Sequence, residues 1–189
     1  MRVARALGAA VLLSAACLAA GAGAMGEKGR SRFTVEHIRE TSARPFAEAT
    51  AAFEARLGRH DPVPAATLAQ GAAPAEVRAA IEKMAGPSGF MIFAKQDHGT
   101  LLGLVGPRRK VVQYVVGNPL FAVEMTRHDV GAALYAPLRV LVYEPEGGGT
   151  CVEYDLPSSL FGRLGDPQVD AVAADLDRKL ADLVATSLR

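Results

Sequence analysis

The run Val111-Val112-Gln113-Tyr114-Val115-Val116-Gly117-Asn118-Pro119 decides how this chain is read. Four valines and a tyrosine within six residues favour a strand. Gly117 then permits a tight exit, Asn118 tolerates a turn and can bond its own backbone, and Pro119 suits the first turn of a helix. A short helix follows, with Phe121, Met125 and His128 on one side.

Working outward, Phe90 to Gln96 reads as a central strand, apolar on both faces and closed by His98-Gly99. Leu101 to Val105 is short and apolar. Gly106-Pro107 and Arg108-Arg109-Lys110 form a turn. Downstream, Leu138 to Tyr143 and Thr150 to Tyr154 are strands joined by the glycine-rich loop Pro145 to Gly149. Asp166 caps a last helix with Pro167 in its first position. Val169, Val172, Ala173, Leu176, Leu180, Leu183 and Val184 form its apolar stripe.

Upstream, Phe33 to Thr41 looks extended, with Phe33, Val35 and His37 on its inner face. A helix carries Phe46, Ala49, Phe53 and Leu57 and breaks at Gly58. Residues 61–72 read as a linker. A second helix from Pro74 turns Val77, Ile81 and Met84 inward and stops at Gly86-Pro87. This order predicts an α+β, two-layer fold: a mostly antiparallel sheet of about five strands, with helices packed mainly on one face. Residues 33–189 are expected to be a single α+β domain.

The first 32 residues read differently. Arg2 and Arg5 precede an uncharged, mostly apolar run, and Ala22-Gly23-Ala24 offers small residues for cleavage. That is the pattern of a secretory signal peptide over residues 1–24, followed by a flexible lead over 25–32. The predicted location is periplasmic or secreted. Ser14-Ala15-Ala16-Cys17 is an imperfect lipoprotein motif, so lipid anchoring at Cys17 is the minority reading. Loss of the leader turns 21 basic against 20 acidic residues into 19 against 20. So balanced a chain has nothing to steer it to nucleic acid, and no membrane span is expected in the mature chain. Cys151 is its one remaining cysteine, so no internal disulfide forms and the core must supply the stability.

Aromatic residues make up 6% and Trp is absent, which disfavours a stacking platform. There is no G-x-S-x-G elbow, phosphate-binding glycine loop, H-E-x-x-H or C-x-x-C. The chemistry-bearing candidates are therefore isolated side chains. His98 follows Asp97 at a strand end, where a functional group can meet solvent. His128 shares a helix face with Glu124 or Met125 at i+4 and i+3. Imidazole with thioether suits copper, and imidazole with carboxylate suits zinc or iron, making His98, Met125 and His128 the candidate metal ligands. Convergence with Cys151 is not visible in sequence. Cys151, inside a strand, reads as an inert thiol. His60, beside Asp61 after Gly58, reads as a solvated or helix-capping side chain.

Gly89-Phe90-Met91-Ile92-Phe93, Asp97-His98-Gly99, Val115-Val116-Gly117-Asn118-Pro119, Ala136-Pro137-Leu138-Arg139-Val140 and Val152-Glu153-Tyr154-Asp155 together resemble the domain of unknown function 302 family, over about residues 75–185. Phe33 to Asp61 looks like the lead-in of its exported members. The resemblance implies a small α+β domain that tends to form homodimers. It implies no settled activity, and it marks His98 and Gly117-Asn118-Pro119 as the family's pattern.

The leading functional expectation is a small-ligand binding or accessory module, more binding protein than enzyme. Its pocket would be lined by Phe90, Phe93, His98, Tyr114 and Asn118. The alternatives are a metal- or haem-binding redox accessory protein, and a hydrolase or isomerase with His98 as general base. The cofactor, if any, is unspecified.

Overall fold

Alternation along the strands decides which side chains enter the core. In the computed structural model, which describes residues 29–189, the valine-rich run forms strand β4 (Val111–Gly117), and Val112, Tyr114 and Val116 are buried on one side. The other strands are β1 (His37–Ser42), β2 (Gly58–Arg59), β3 (Met91–Asp97), β5 (Leu138–Tyr143) and β6 (Thr150–Asp155). They pair in the order β1-β6-β5-β4-β3-β2. Every pairing is antiparallel except β2 with β3. The fold is α+β, as expected, with six strands in place of about five. The added strand is two residues long, too short for any periodicity to announce it.

Two helices build the main layer. Helix α1 (Phe46–Ala55) buries Ala49 and Phe53, and the 22-residue C-terminal helix, residues 167–188, buries Val169, Ala173, Leu176, Leu180, Leu183 and Val184. These meet Ile92, Val112, Tyr114, Val116, Val140, Val142, Val152 and Tyr154 in one apolar cluster. At about 25 cal/mol per Å² of apolar surface, such burial is the main stabilising term. The C-terminal helix starts as predicted: Asp166 Oδ1 accepts from the amides of Gln168 and Val169, and Pro167 holds the first position.

A smaller cluster lies on the reverse face at the β2–β3 edge. Helix α2 (Val63–Leu68) occupies the stretch expected to be a linker and buries none of its own residues. Helix α3 (Pro74–Met84) packs Val77 and Ile81 on Met91. Met91 points away from Phe90 and Ile92 because successive strand residues face opposite sides. Two glycines let the backbones meet here. A Cβ on Gly58 would strike the Met84 carbonyl, and one on Gly86 would strike residues 56–58.

The N-terminal strand differs from its expected form. It begins at His37, and Ile38 rather than His37 faces the core. The register His37↔Asp155 and Ile38↔Tyr154 fixes this. Helix α4 (His98–Leu101), a following single turn at 102–104, α5 (Pro119–Thr126), a turn at 130–134, α6 (Pro157–Phe161) and a turn at 162–164 complete the elements; the C-terminal helix is α7 (Pro167–Leu188). Phe33–Arg189 gathers into one compact unit. The predicted signal peptide over 1–24 and most of the 25–32 lead, Cys17 included, lie outside the described residues.

Candidate functional site

The bend at 117–119 folds as its residues dictate. The Asn118 Oδ1 accepts the Leu120 amide at 2.9 Å and so caps α5, with Pro119 next. The Asn118 Nδ2 donates to the Gly89 carbonyl at 2.9 Å. Both ends of the amide are thus occupied, and the start of α5 is tied to the start of β3. Gly117 lies against Pro137 and Phe93, where a Cβ would sit 3.2 Å from the proline ring.

This junction walls a cavity of about 290 Å³, at the end of the sheet where β4 finishes and β3 and β5 begin. Phe90, Phe93, Phe121, Phe161, Met125, Leu138 and Leu176 make its apolar lining. Phe121 meets Phe90 edge-on, with ring centroids 5.9 Å apart. The polar side chains at the wall are His60 and Asn118. His60 lies flat against Phe93, centroids 4.0 Å apart and planes 15° from parallel. Parallel pairing carries it there: Gly58 faces Met91, Arg59 faces Ile92, and the His60 amide donates to the Ile92 carbonyl at 3.1 Å. Phe93 lies two residues after Met91 and packs with it, where the register with β4 shifts between Ile92 and Ala94. Ala65 of α2 completes the wall.

Of the five residues expected to line one pocket, Phe90, Phe93 and Asn118 do so. Tyr114 does not. It is buried on the helix-covered face against Phe53, with centroids 5.0 Å apart. Its hydroxyl donates to Glu54 Oε1 at 2.6 Å, and the Lys95 ammonium reaches the same oxygen at 2.6 Å. Burial and then the Glu54 carboxylate push the phenol far above its usual range. Burial raises the Glu54 carboxyl too, but the bonds from Lys95 and Tyr114 outweigh it and hold the group below its ordinary value.

His98 is also elsewhere. Antiparallel pairing sets Asp97 opposite Val112 and Met91 opposite Gly117. His98 therefore lies at the far end of the hairpin from Asn118, roughly 17–20 Å away at the rise of a strand. The expected cleft between position 98 and the 117–119 bend does not form. Asp97-His98-Gly99 instead shapes the hairpin connection. Asp97 caps α4 by accepting the Thr100 amide at 2.9 Å and its hydroxyl at 2.6 Å. The Thr100 hydroxyl, above all, holds that carboxyl below its usual range. Gly99 is buried, and a Cβ there would overlap the Arg109 carbonyl.

The candidate metal ligands stay apart. Met125 is buried at the cavity, His128 is exposed beyond the end of α5, and His98 sits at the opposite sheet end. No group of three or more His, Cys, Asp or Glu suited to a metal occurs among the described residues. Cys151 is buried on the sheet face away from α1 and α7, as the alternation with buried Val152 requires. Arg39 Nε donates to its sulfur at 3.3 Å and pairs with Glu153 at 3.2 Å. Tyr143 donates to Glu153 at 2.7 Å, and its phenol is pushed up to about 12, first by Cys151 and then by Glu153.

His60, expected as a solvated or helix-capping side chain, is half-buried with its ring against Phe93 at the cavity wall. It stands outside any long periodic element, and only the short β2 pairing brings it to Phe93.

The comparisons with known proteins agree with this architecture. The pattern of the family described as "Domain of unknown function DUF302" matches residues 65–187. The fold is similar to the crystal structure of an uncharacterized conserved DUF302 protein from Bacillus stearothermophilus. The TM-score is 0.56 at 19% identity, covering 81% of this chain and 98% of that chain. No curated protein matches the chain.

Proposed function

The chain belongs to the DUF302 family, and we propose that this member is a non-enzymatic module that holds a compact apolar ligand in the cavity beside His60 and Phe93. The observation that carries the reading is the lining: four phenylalanines, a methionine and two leucines around about 290 Å³, with few polar groups. Ligand sites commonly pair an apolar wall with a few orienting polar groups in about 300–1,000 Å³. This volume is at the small end, which favours a compact molecule over a haem. The imidazole would orient the guest, since Asn118 is already bonded at both ends.

Export to the periplasm or beyond is part of the proposal and rests on the leader pattern of residues 1–24. Homodimer formation is proposed from the family resemblance, and light scattering of the purified protein tests it. The metal- or haem-binding alternative has weaker support, because Met125 and His128 diverge. The hydrolase or isomerase alternative has weaker support as well, because His98 stands apart from the cavity. Among the described residues no helix is long and apolar enough to cross a membrane.

Titration with N-phenyl-1-naphthylamine tests the binding reading. Saturable fluorescence enhancement is expected, together with a rise in melting temperature, since a ligand at a hundred times its Kd stabilises by about 2.7 kcal/mol. Enhancement that Phe93→Ala leaves unchanged would place the probe elsewhere and overturn the reading.

A further inference from the structure

The connection between β3 and β4 projects from the sheet end opposite the cavity. Within five residues it leaves Leu101, Leu104 and Val105 at 61%, 84% and 88% exposure. Single exposed apolar residues are ordinary, but three at one tip are not. The tip is held, not loose. Asp97 caps α4, the amides of Val105 and Gly106 both donate to the Leu102 carbonyl at 3.0 Å, and the Arg109 amide returns to Gly99. Immediately behind it the chain reads Arg108-Arg109-Lys110, all exposed. The Arg108 side chain lies along Gly103, within the apolar turn itself. Lys110 pairs with Glu144 at 2.7 Å, whereas Arg108 and Arg109 have no acidic partner among the described residues.

From this juxtaposition we infer that the 101–110 knuckle docks on an anionic lipid surface. The tip leucines and Val105 enter the boundary between headgroups and acyl chains, and Arg108 and Arg109 meet lipid phosphates. An apolar tip backed by unpaired guanidinium groups is complementary in depth and in charge to such an interface. The inference does not depend on the cavity.

The chain contains no tryptophan, so Leu104→Trp in the full-length protein supplies a single local fluorophore. It reports only its own surroundings, and a charge-reversed variant that keeps the leader separates docking of the tip from tethering by that leader. Vesicles of phosphatidylcholine mixed with phosphatidylglycerol should shift its emission to shorter wavelength, and brominated acyl chains should quench it. Arg108→Glu with Arg109→Glu in the same background should abolish the shift. Val105→Trp provides an independent reporter should the first variant fold poorly. Three results would overturn the inference: unchanged emission with the mixed vesicles, an equal shift with phosphatidylcholine alone, or a blue shift that grows with protein concentration in lipid-free buffer. The last would assign the tip to contact between two copies.

Discussion

Asn118 is tied to Gly89: its Nδ2 donates to that carbonyl at 2.9 Å, joining the entrance of α5 to the approach to β3. Asn118→Ala removes this bond and the α5 cap together. The expected loss is about 1–2 kcal/mol, adding a cap of about 1 to a part-buried carbonyl left without its donor. Asn118→Asp keeps the cap acceptor and should lose less. Urea denaturation of the three proteins checks the order.

The His60–Phe93 stack should govern the cavity. Phe93→Ala is expected to weaken N-phenyl-1-naphthylamine binding about tenfold. His60→Ala should weaken it by about two- to tenfold, the range of an aromatic pair. His60→Phe should restore part of the loss, because it keeps the ring stacked on Phe93 but removes the polar group that orients the guest. Equilibrium fluorescence titration reads all three.

Tyr114→Phe should destabilise the protein by about 1–2 kcal/mol, since a buried hydroxyl and its carboxylate partner are separated. Glu54 makes this pH-dependent. Its folded pKa is depressed, so its stabilisation is present above the unfolded value near 4.3 and disappears as the pH falls through the folded value. Glu54→Gln should flatten denaturation midpoints across that acid range.

The hairpin motif separates structure from chemistry. Gly99→Ala drives a Cβ into the Arg109 carbonyl and should cost several kcal/mol or prevent folding. Asp97→Ala should cost about 1 kcal/mol through the lost cap. His98→Ala, at an exposed side chain, should change stability by less than about 0.5 kcal/mol. Thermal melts of the three variants decide, and a large loss for His98→Ala would show a structural role for that ring.

His37 supplies a basic-side counterpart. Its hydrogen bond to Asp155 at 2.9 Å, offset in part by burial and aided by the charges of Asp155 and Glu153, raises its pKa. The sign is opposite to that of Glu54. The gain is complete below the ordinary value near 6.5 and is lost as the pH rises through the folded value. The pair is largely exposed, so the effect should be small and should shrink in salt. His37→Gln should remove it, measured as denaturation midpoints from mildly acidic to mildly alkaline pH.

Much of the sheet was legible because β4 and β5 alternate buried residues with more exposed ones, β3 is an apolar run, and β3 to β6 stop at or within two residues of Gly, Pro or Asp. The stripe of α7 was equally plain. The reading failed where pairing partners, not local pattern, decide structure. Two-residue β2 forms only against β3, α2 buries none of its own residues, and His37 turns outward because its register with Asp155 demands it. The same limit applied to the site. Phe90, Phe93 and Asn118 announced themselves by type and spacing. His60 came in through β2, and His98 was separated from Asn118 by the antiparallel geometry of the hairpin.

Residues near the two ends of the unit clasp one another. The Ser42 hydroxyl donates to the Leu188 carbonyl, Arg44 reaches the Ser187 carbonyl, and β1 is paired with β6. Seven residues of α7 are buried, and Leu176 also walls the cavity. Contacts of such sequence separation carry a large loop-closure entropy, so they form late in folding. Undocking of α7 would therefore open the core and one wall of the cavity in a single event.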